Sequence, residues 1–147
     1  MPNYRTHVTV NLLAMIPLAN MSINNGIFDK YFWGSYLIGT FAVTPDLDMK
    51  NSGPDKSLGR IWNSFWDFYN IKFKHRQISH SPVIGTLSRY LYLLWIPILV
   101  TLANYNWNLN IYIALYGQMI FASFCGLMTS DNIHILLDEI STWWKKL

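Results

Sequence analysis

Apolar residues fall in four long runs along the chain, at about Val8–Ile23, Tyr31–Thr44, Val83–Ala103 and Leu109–Met128. A polar, basic stretch separates the second run from the third, and a shorter polar stretch follows the fourth. No charged residue occurs from Tyr90 to Ser130. That interval holds two apolar segments of about 20 residues, the length a helix needs to cross the hydrocarbon of a bilayer. The sequence NYNWNLN at Asn104–Asn110 reads as a polar turn between them, with Trp107 suited to an interface. The pattern predicts a transmembrane hairpin; the other reading is a pair of buried helices in a soluble bundle. The first two runs are shorter, about 15 residues each against the ~20 of a full span. They contain Pro17, Asn20, Gly34 and Gly39. They read as short spans, half-inserted helices or helices packed on the hairpin, with a turn at Asn24–Gly26.

Between the second and third runs, SGPD at Ser52–Asp55 reads as a turn. The segment RIWNSFWDFYNIKFKHR, Arg60–Arg76, places Trp62, Phe65, Trp66 and Tyr69 at near-helical spacing. This suggests an amphipathic helix at an interface or, equally, an ordinary packed helix. With 147 residues the chain has room for one domain, 1–147. The expected fold is all-α: a membrane-associated helical bundle with about four core helices plus an amphipathic helix.

Composition supports a bilayer or a partner-covered surface. The chain is 52% apolar and 13% charged, against about 25% charged in ordinary soluble domains. Seven Trp and nine Tyr are residues that collect at membrane–water interfaces. The net charge is +3, and no Lys/Arg tract marks a nucleic-acid footprint. Seven of the 11 Lys and Arg are Lys50, Lys56, Arg60, Lys72, Lys74, Arg76 and Arg89, and Lys145 and Lys146 follow the last helix. The positive-inside rule puts both regions in the cytoplasm. The N-terminal run, interrupted by Asn11, Pro17 and Asn20, does not read as a cleaved leader. The one cysteine, Cys125, excludes an intrachain disulfide and a thiolate zinc site.

Any metal must therefore be held by imidazole and carboxylate, and the topology supplies both. His7 sits at the start of the first helix, Asp46 and Asp48 just past the second, His75 and His80 before the third, and His134 and Asp138 just past the fourth. In an up-down-up-down bundle these positions share one end. Asp131, His134 and Asp138 also share one helical face. Asn11, one turn from His7, is placed to orient its imidazole. Pro45 stops the second helix and leaves Asp46 and Asp48 in a turn. The segment HRQISHSP, His75–Pro82, concentrates site-capable groups beside an apolar helix. A mixed His/Asp set suits Zn²⁺, with Mn²⁺ or Fe²⁺ as alternatives. Seven candidates exceed the four ligands of a structural zinc, which suggests an open catalytic site or two ions sharing a carboxylate.

His7 and the runs GTFAVTPDLDM, HRQISHSPVIGTLSRYLY and DNIHILLDEIST resemble the motif set of a family of uncharacterised prokaryotic metal-binding proteins. They are also similar to a broader group of membrane-bound, predicted metal-dependent hydrolases, which shares a PDxD element, an HRxxSHS-like element and a late His/Asp helix. A more distant similarity is to zinc-dependent phospholipases C and single-strand nucleases, through the order His7, Asp46 and the HxxxD pair His134–Asp138. The resemblance implies a metal-dependent hydrolase.

The expected chemistry is attack of metal-activated water on a phosphoester or similar substrate, which at a membrane surface points to lipid phosphates. Asp48 or Asp138 would accept the proton, and Arg76 would clamp an anionic group, with Arg60 and Lys74 as lesser candidates. Two rival expectations stand beside it. One is a non-enzymatic membrane protein with a structural metal. The other is a soluble helical bundle that docks through its basic stretch.

Overall fold

The computed structural model describes residues 3–20, 26–48, 53–72, 81–103 and 109–146; the side chains of 27, 28, 47, 48, 53–58, 60, 61, 72, 96–103 and 109–115 are not among those described. The chain is all-helical, as expected from its long apolar runs. Its elements are α1 (Tyr4–Asn20), α2 (Gly26–Phe41), a 3-10 turn (Pro45–Asp48), α3 (Gly53–Lys72), α4 (Ile84–Ala103) and α5 (Leu109–Trp144). Among the described residues there is no strand.

Local chemistry sets the helix ends. Asn3 caps α1: its Oδ1 accepts the Thr6 N–H at 2.9 Å, which satisfies one of the amides a helix start leaves open. Pro45 cannot continue α2, so the chain turns sharply and carries Asp46 back toward the bundle. Pro82 stands just before α4, where a missing N–H costs nothing.

Two expectations are corrected. Of the turn expected at Ser52–Asp55, Ser52 lies outside the described residues and Gly53–Asp55 instead open α3, with Pro54 tolerated near the helix start. That helix kinks at Gly59, whose φ of 84° is open to glycine and strained for other residues. The fourth helix does not stop near Met128. Nothing after Gly126 breaks it, and α5 runs for 36 residues, about 54 Å at 1.5 Å per residue. His134 and Asp138 thus lie inside a helix rather than beyond one.

The main packing seam is α2 along α5. A Cβ on Gly126 would collide with the Phe32 carbonyl oxygen and Ser35 Oγ, and one on Gly39 would meet Leu127 and Ser130 at 2.9 and 3.0 Å. Glycine at both positions lets the two backbones approach. On the far side, Trp66 and Tyr69 of α3 join Val43 and Leu127 in a small apolar cluster, flanked by Trp62, Phe65, Tyr92 and Leu93. Phe68 and Ile71 of the same helix are 70% and 76% exposed. So α3 packs along one stripe and presents an apolar face outward.

The distribution of polarity is inverted relative to a water-soluble bundle. Among the described residues the buried set holds seven apolar side chains and ten polar or charged ones. Leu13 and Ile16 of α1 are exposed while His7 and Asn11 of the same helix are buried. Exposed large apolar residues also occur on α2 (Ile38), α4 (Leu91) and α5 (Ile120, Leu136, Ile140). Among the described residues one stretch, Tyr116–Trp144, is long and apolar enough to cross a membrane. The side chains at the tip of the expected hairpin lie outside the described residues.

Arg89 requires a further correction. It is fully buried rather than a loop charge, and its Nη2 lies 2.6 Å from Asp131 Oδ2. It drops out of the charges that argued for a cytoplasmic loop.

Candidate metal centre

Three elements deliver the centre. α1 supplies His7, the turn after α2 supplies Asp46, and α5 supplies His134 and Asp138 one helical turn apart. The two imidazoles stack face to face, with ring centroids 3.7 Å apart and planes inclined by 10°. Both residues are only 2% exposed. His7 Nε2 lies 3.3 Å from Asp138 Oδ1. His134 Nε2 lies 3.3 Å from Asp46 Oδ2 and 3.9 Å from Asp138 Oδ2.

These approaches are not hydrogen bonds. Among the described residues neither ring nitrogen of His7 or of His134 has a hydrogen-bond partner, although buried polar groups are normally satisfied. Ligand atoms of His7, His134 and Asp138 lie within 4.8 Å of one another. Four ligands at about 2.0–2.1 Å in a tetrahedron around zinc stand roughly 3.3 Å apart. The two 3.3 Å separations fit that spacing, and the donor types fit a divalent ion of intermediate softness. The donor chemistry therefore fits the bound group: the ligand atoms of His7, His134 and Asp138 cluster, and Asp46 stands at their edge beside His134 Nε2.

A layer of neutral hydrogen bonds supports the centre. Asn11 Nδ2 donates to Ser130 Oγ at 3.3 Å, and Ser130 Oγ meets Thr40 Oγ1 at 3.1 Å. Tyr36 donates to the Asn11 carbonyl at 2.7 Å. These contacts pin α1, α2 and α5 together beside the imidazoles. Asn11 was expected to orient His7; its amide instead reaches across to α5, because the face it shares with His7 packs there. Tyr4 ties the start of α1 to the end of α2 by donating to the Phe41 carbonyl at 3.1 Å, and burial pushes its phenol above the ordinary value.

Of the seven expected ligands, the structure brings together His7, Asp46, His134 and Asp138. The side chain of Asp48 lies outside the described residues, although its backbone is in the 3-10 turn with Asp46. His75, Arg76 and His80 lie outside the described residues altogether, as does Lys74. Asp138 faces both imidazoles, which suits a ligand better than a free proton acceptor.

Sequence reasoning missed one group of polar residues. Asp131 Oδ2 accepts hydrogen bonds from Thr86 Oγ1 at 2.7 Å and Arg89 Nη2 at 2.6 Å. A signal was present. Arg89 and Asp131 are the opposite charges that bracket the charge-free run Tyr90–Ser130.

A protein from Aquifex aeolicus (strain VF5), described as an uncharacterized protein, is 32% identical over 130 residues, covering 76% of this chain and 89% of its own length. No solved structure matches. Residues 2–147 match the family described as uncharacterized metal-binding protein (DUF2227), and the chain belongs to that family.

Proposed function

We propose that this protein is a divalent-metal protein of the membrane surface whose ion serves hydrolysis of a phosphoester or a similar substrate. The observation that carries the metal part is the pair of stacked, buried imidazoles, whose ring nitrogens lack hydrogen-bond partners among the described residues. His7, His134, Asp138 and Asp46 would hold the ion, and zinc suits this set best, with manganese or iron as alternatives. His75, His80 and Asp48 are proposed as further donors; α4, which follows the first two in the chain, is joined to α5 at Asp131.

When bound, a divalent ion supplies Lewis-acid activation of water and of a phosphoryl oxygen. The chain's own residues do the rest. The carboxylates of Asp46 and Asp138 form the less covered edge of the centre, at 13% and 10% side-chain exposure against 2% for the imidazoles. A substrate would approach from that edge. Arg76 is proposed to clamp its anionic group and Asp48 to accept a proton.

The membrane part rests on the apolar side chains facing outward from the bundle and on the Tyr116–Trp144 stretch. Trp143, Trp144, Lys145 and Lys146 are exposed beyond the centre, a composition suited to an interfacial anchor. The proposed orientation puts the centre and the C-terminus on the cytoplasmic side.

The low exposure of the imidazoles favours a second reading, in which the ion only pins α1, α2 and α5 together. Elemental analysis of the purified protein, followed by a phosphoester panel, separates the two. Hydrolysis that disappears together with the metal in the Asp46→Asn variant is the expected result. A metal-loaded wild type inert toward the whole panel would leave the structural role. A wild type that purifies without metal and takes up none would overturn both. Recovery of the protein in the aqueous fraction without detergent would overturn the membrane part.

A further inference from the structure

The centre leaves unexplained why a carboxylate and a guanidinium are wholly buried one turn away from it. Asp131 and Arg89 are 0% and 1% exposed, and a buried ion pair is weak evidence of stability in itself, since apolar residues of similar volume often serve as well. The pair is lopsided. Both Thr86 and Arg89 bond to Oδ2 of Asp131, whereas Oδ1, fully buried, has no hydrogen-bond partner among the described residues. One turn along the same face of α5, His134 Nδ1 is also buried without one. A helical side chain leans back over the turn that precedes it, so the ring of His134 leans toward the turn that carries Asp131. An acceptor without a donor and a potential donor without an acceptor thus lie one turn apart on the same face of α5, not yet in contact, and an ion on Nε2 would fix the ring that carries the donor. Meanwhile His134 Nε2, the other nitrogen of that ring, faces Asp46 and Asp138.

We propose that Asp131 is the outer carboxylate of the metal centre, receiving the Nδ1–H of His134, and that Arg89 and Thr86 hold it in place as a charged acceptor. The inference rests on the metal reading above. With Nε2 committed to the ion, the ring proton must sit on Nδ1, and a ligating histidine almost always donates that proton to a carboxylate, a carbonyl or water. The Arg89 guanidinium keeps the carboxylate ionised in a buried place, and Thr86 and Arg89 together fix the oxygen that His134 does not use. Asp131 and Arg89 are positioning residues: they act on the ion through the orientation and basicity of one ligand.

The test compares the wild type with the Arg89→Met/Asp131→Leu double variant, each stripped of metal and titrated with Zn²⁺ and with Co²⁺. The double variant replaces the pair with apolar side chains of similar size and is expected to melt within a few degrees of the wild type. Its zinc affinity is expected to fall by about 10- to 100-fold, the range for loss of an outer partner, with a shift of the Co²⁺ visible bands. Zinc affinity and cobalt bands equal to the wild type would overturn the proposal and leave the pair as a plain tie between α4 and α5. Asp131→Asn, which keeps the shape and weakens the acceptor, gives the same reading should the double variant not fold: reduced affinity supports the proposal and unchanged affinity overturns it. A wild type that binds neither ion would instead sink the metal reading itself.

Discussion

Between α1, α2 and α5 the contacts are made by Asn11, Thr40, Ser130, His7 and His134; between α3 and α4 they are made by Phe65, Trp66, Tyr69 and Tyr92. In the first region the helices come close, because Gly39 and Gly126 remove the side chains that would hold α2 off α5. Small polar groups then reach across directly. In the second, large rings span a wider gap: Phe65 and Tyr92 lie 5.0 Å apart, and Trp66 lies 5.4 Å from both Tyr69 and Tyr92. The rings gain from burial and from tilted or edge-to-face contact, although the indole nitrogens of Trp62 and Trp66 lack hydrogen-bond partners among the described residues. The imidazoles of the polar region lack them too. The difference teaches where a metal fits: an indole N–H has no lone pair to offer an ion, whereas the polar side gathers imidazoles and carboxylates that do.

The comparison can be broken from either side. Trp66→Ala removes the largest buried side chain of the aromatic region and should cost about 3–5 kcal/mol of unfolding free energy. The zinc-induced gain in stability should survive in this variant. Denaturant titrations in detergent, with and without zinc, read both quantities, and loss of the zinc gain would show that the regions are not separable.

His134→Ala reverses the pattern. At free zinc of about 1,000 times the dissociation constant, binding stabilises the wild type by roughly 4 kcal/mol. The variant should gain nothing measurable, and a wild-type-sized gain would remove His134 from the centre.

Gly126→Val acts on the seam that both regions share. Its added side chain meets the Phe32 carbonyl and Ser35, so it should destabilise by about 1–3 kcal/mol and weaken zinc binding as well. A variant as stable as the wild type would mean that α2 and α5 do not approach this closely.

The smallest effect is expected from Thr40→Val. It loses the contact with Ser130 and should cost about 1 kcal/mol, with zinc affinity changed by only a few fold in a calorimetric titration. A loss as large as that of a ligand variant would move Thr40 into the centre itself.

Much of this was legible along the chain. The spacing of His134 and Asp138 puts them on one helical face whatever surrounds them, and Pro45 ends α2 because it cannot donate to the helix. The scarcity of charge and the outward-facing apolar residues belong to the same composition. The end of α5 was not legible, because a polar stretch was read as a stop although it contains no residue that breaks a helix. The role of Arg89 was hidden for a different reason. Its partner lies 42 positions away, and charge counting treats every arginine as exposed.

The sequence alone therefore determined the all-helical class and the donor types open to a metal, since these follow from local pattern and side-chain chemistry, and its motifs carried the resemblance to the metal-binding family. Tertiary structure decided which donors meet. Convergence of His7, Asp46 and His134 depends on how α1 and the turn after α2 pack on α5, and that packing is set by glycine clearance and cross-helix hydrogen bonds. Tertiary structure also decided that Asp131 pairs with Arg89, because only the placement of α4 against α5 brings that guanidinium within 2.6 Å.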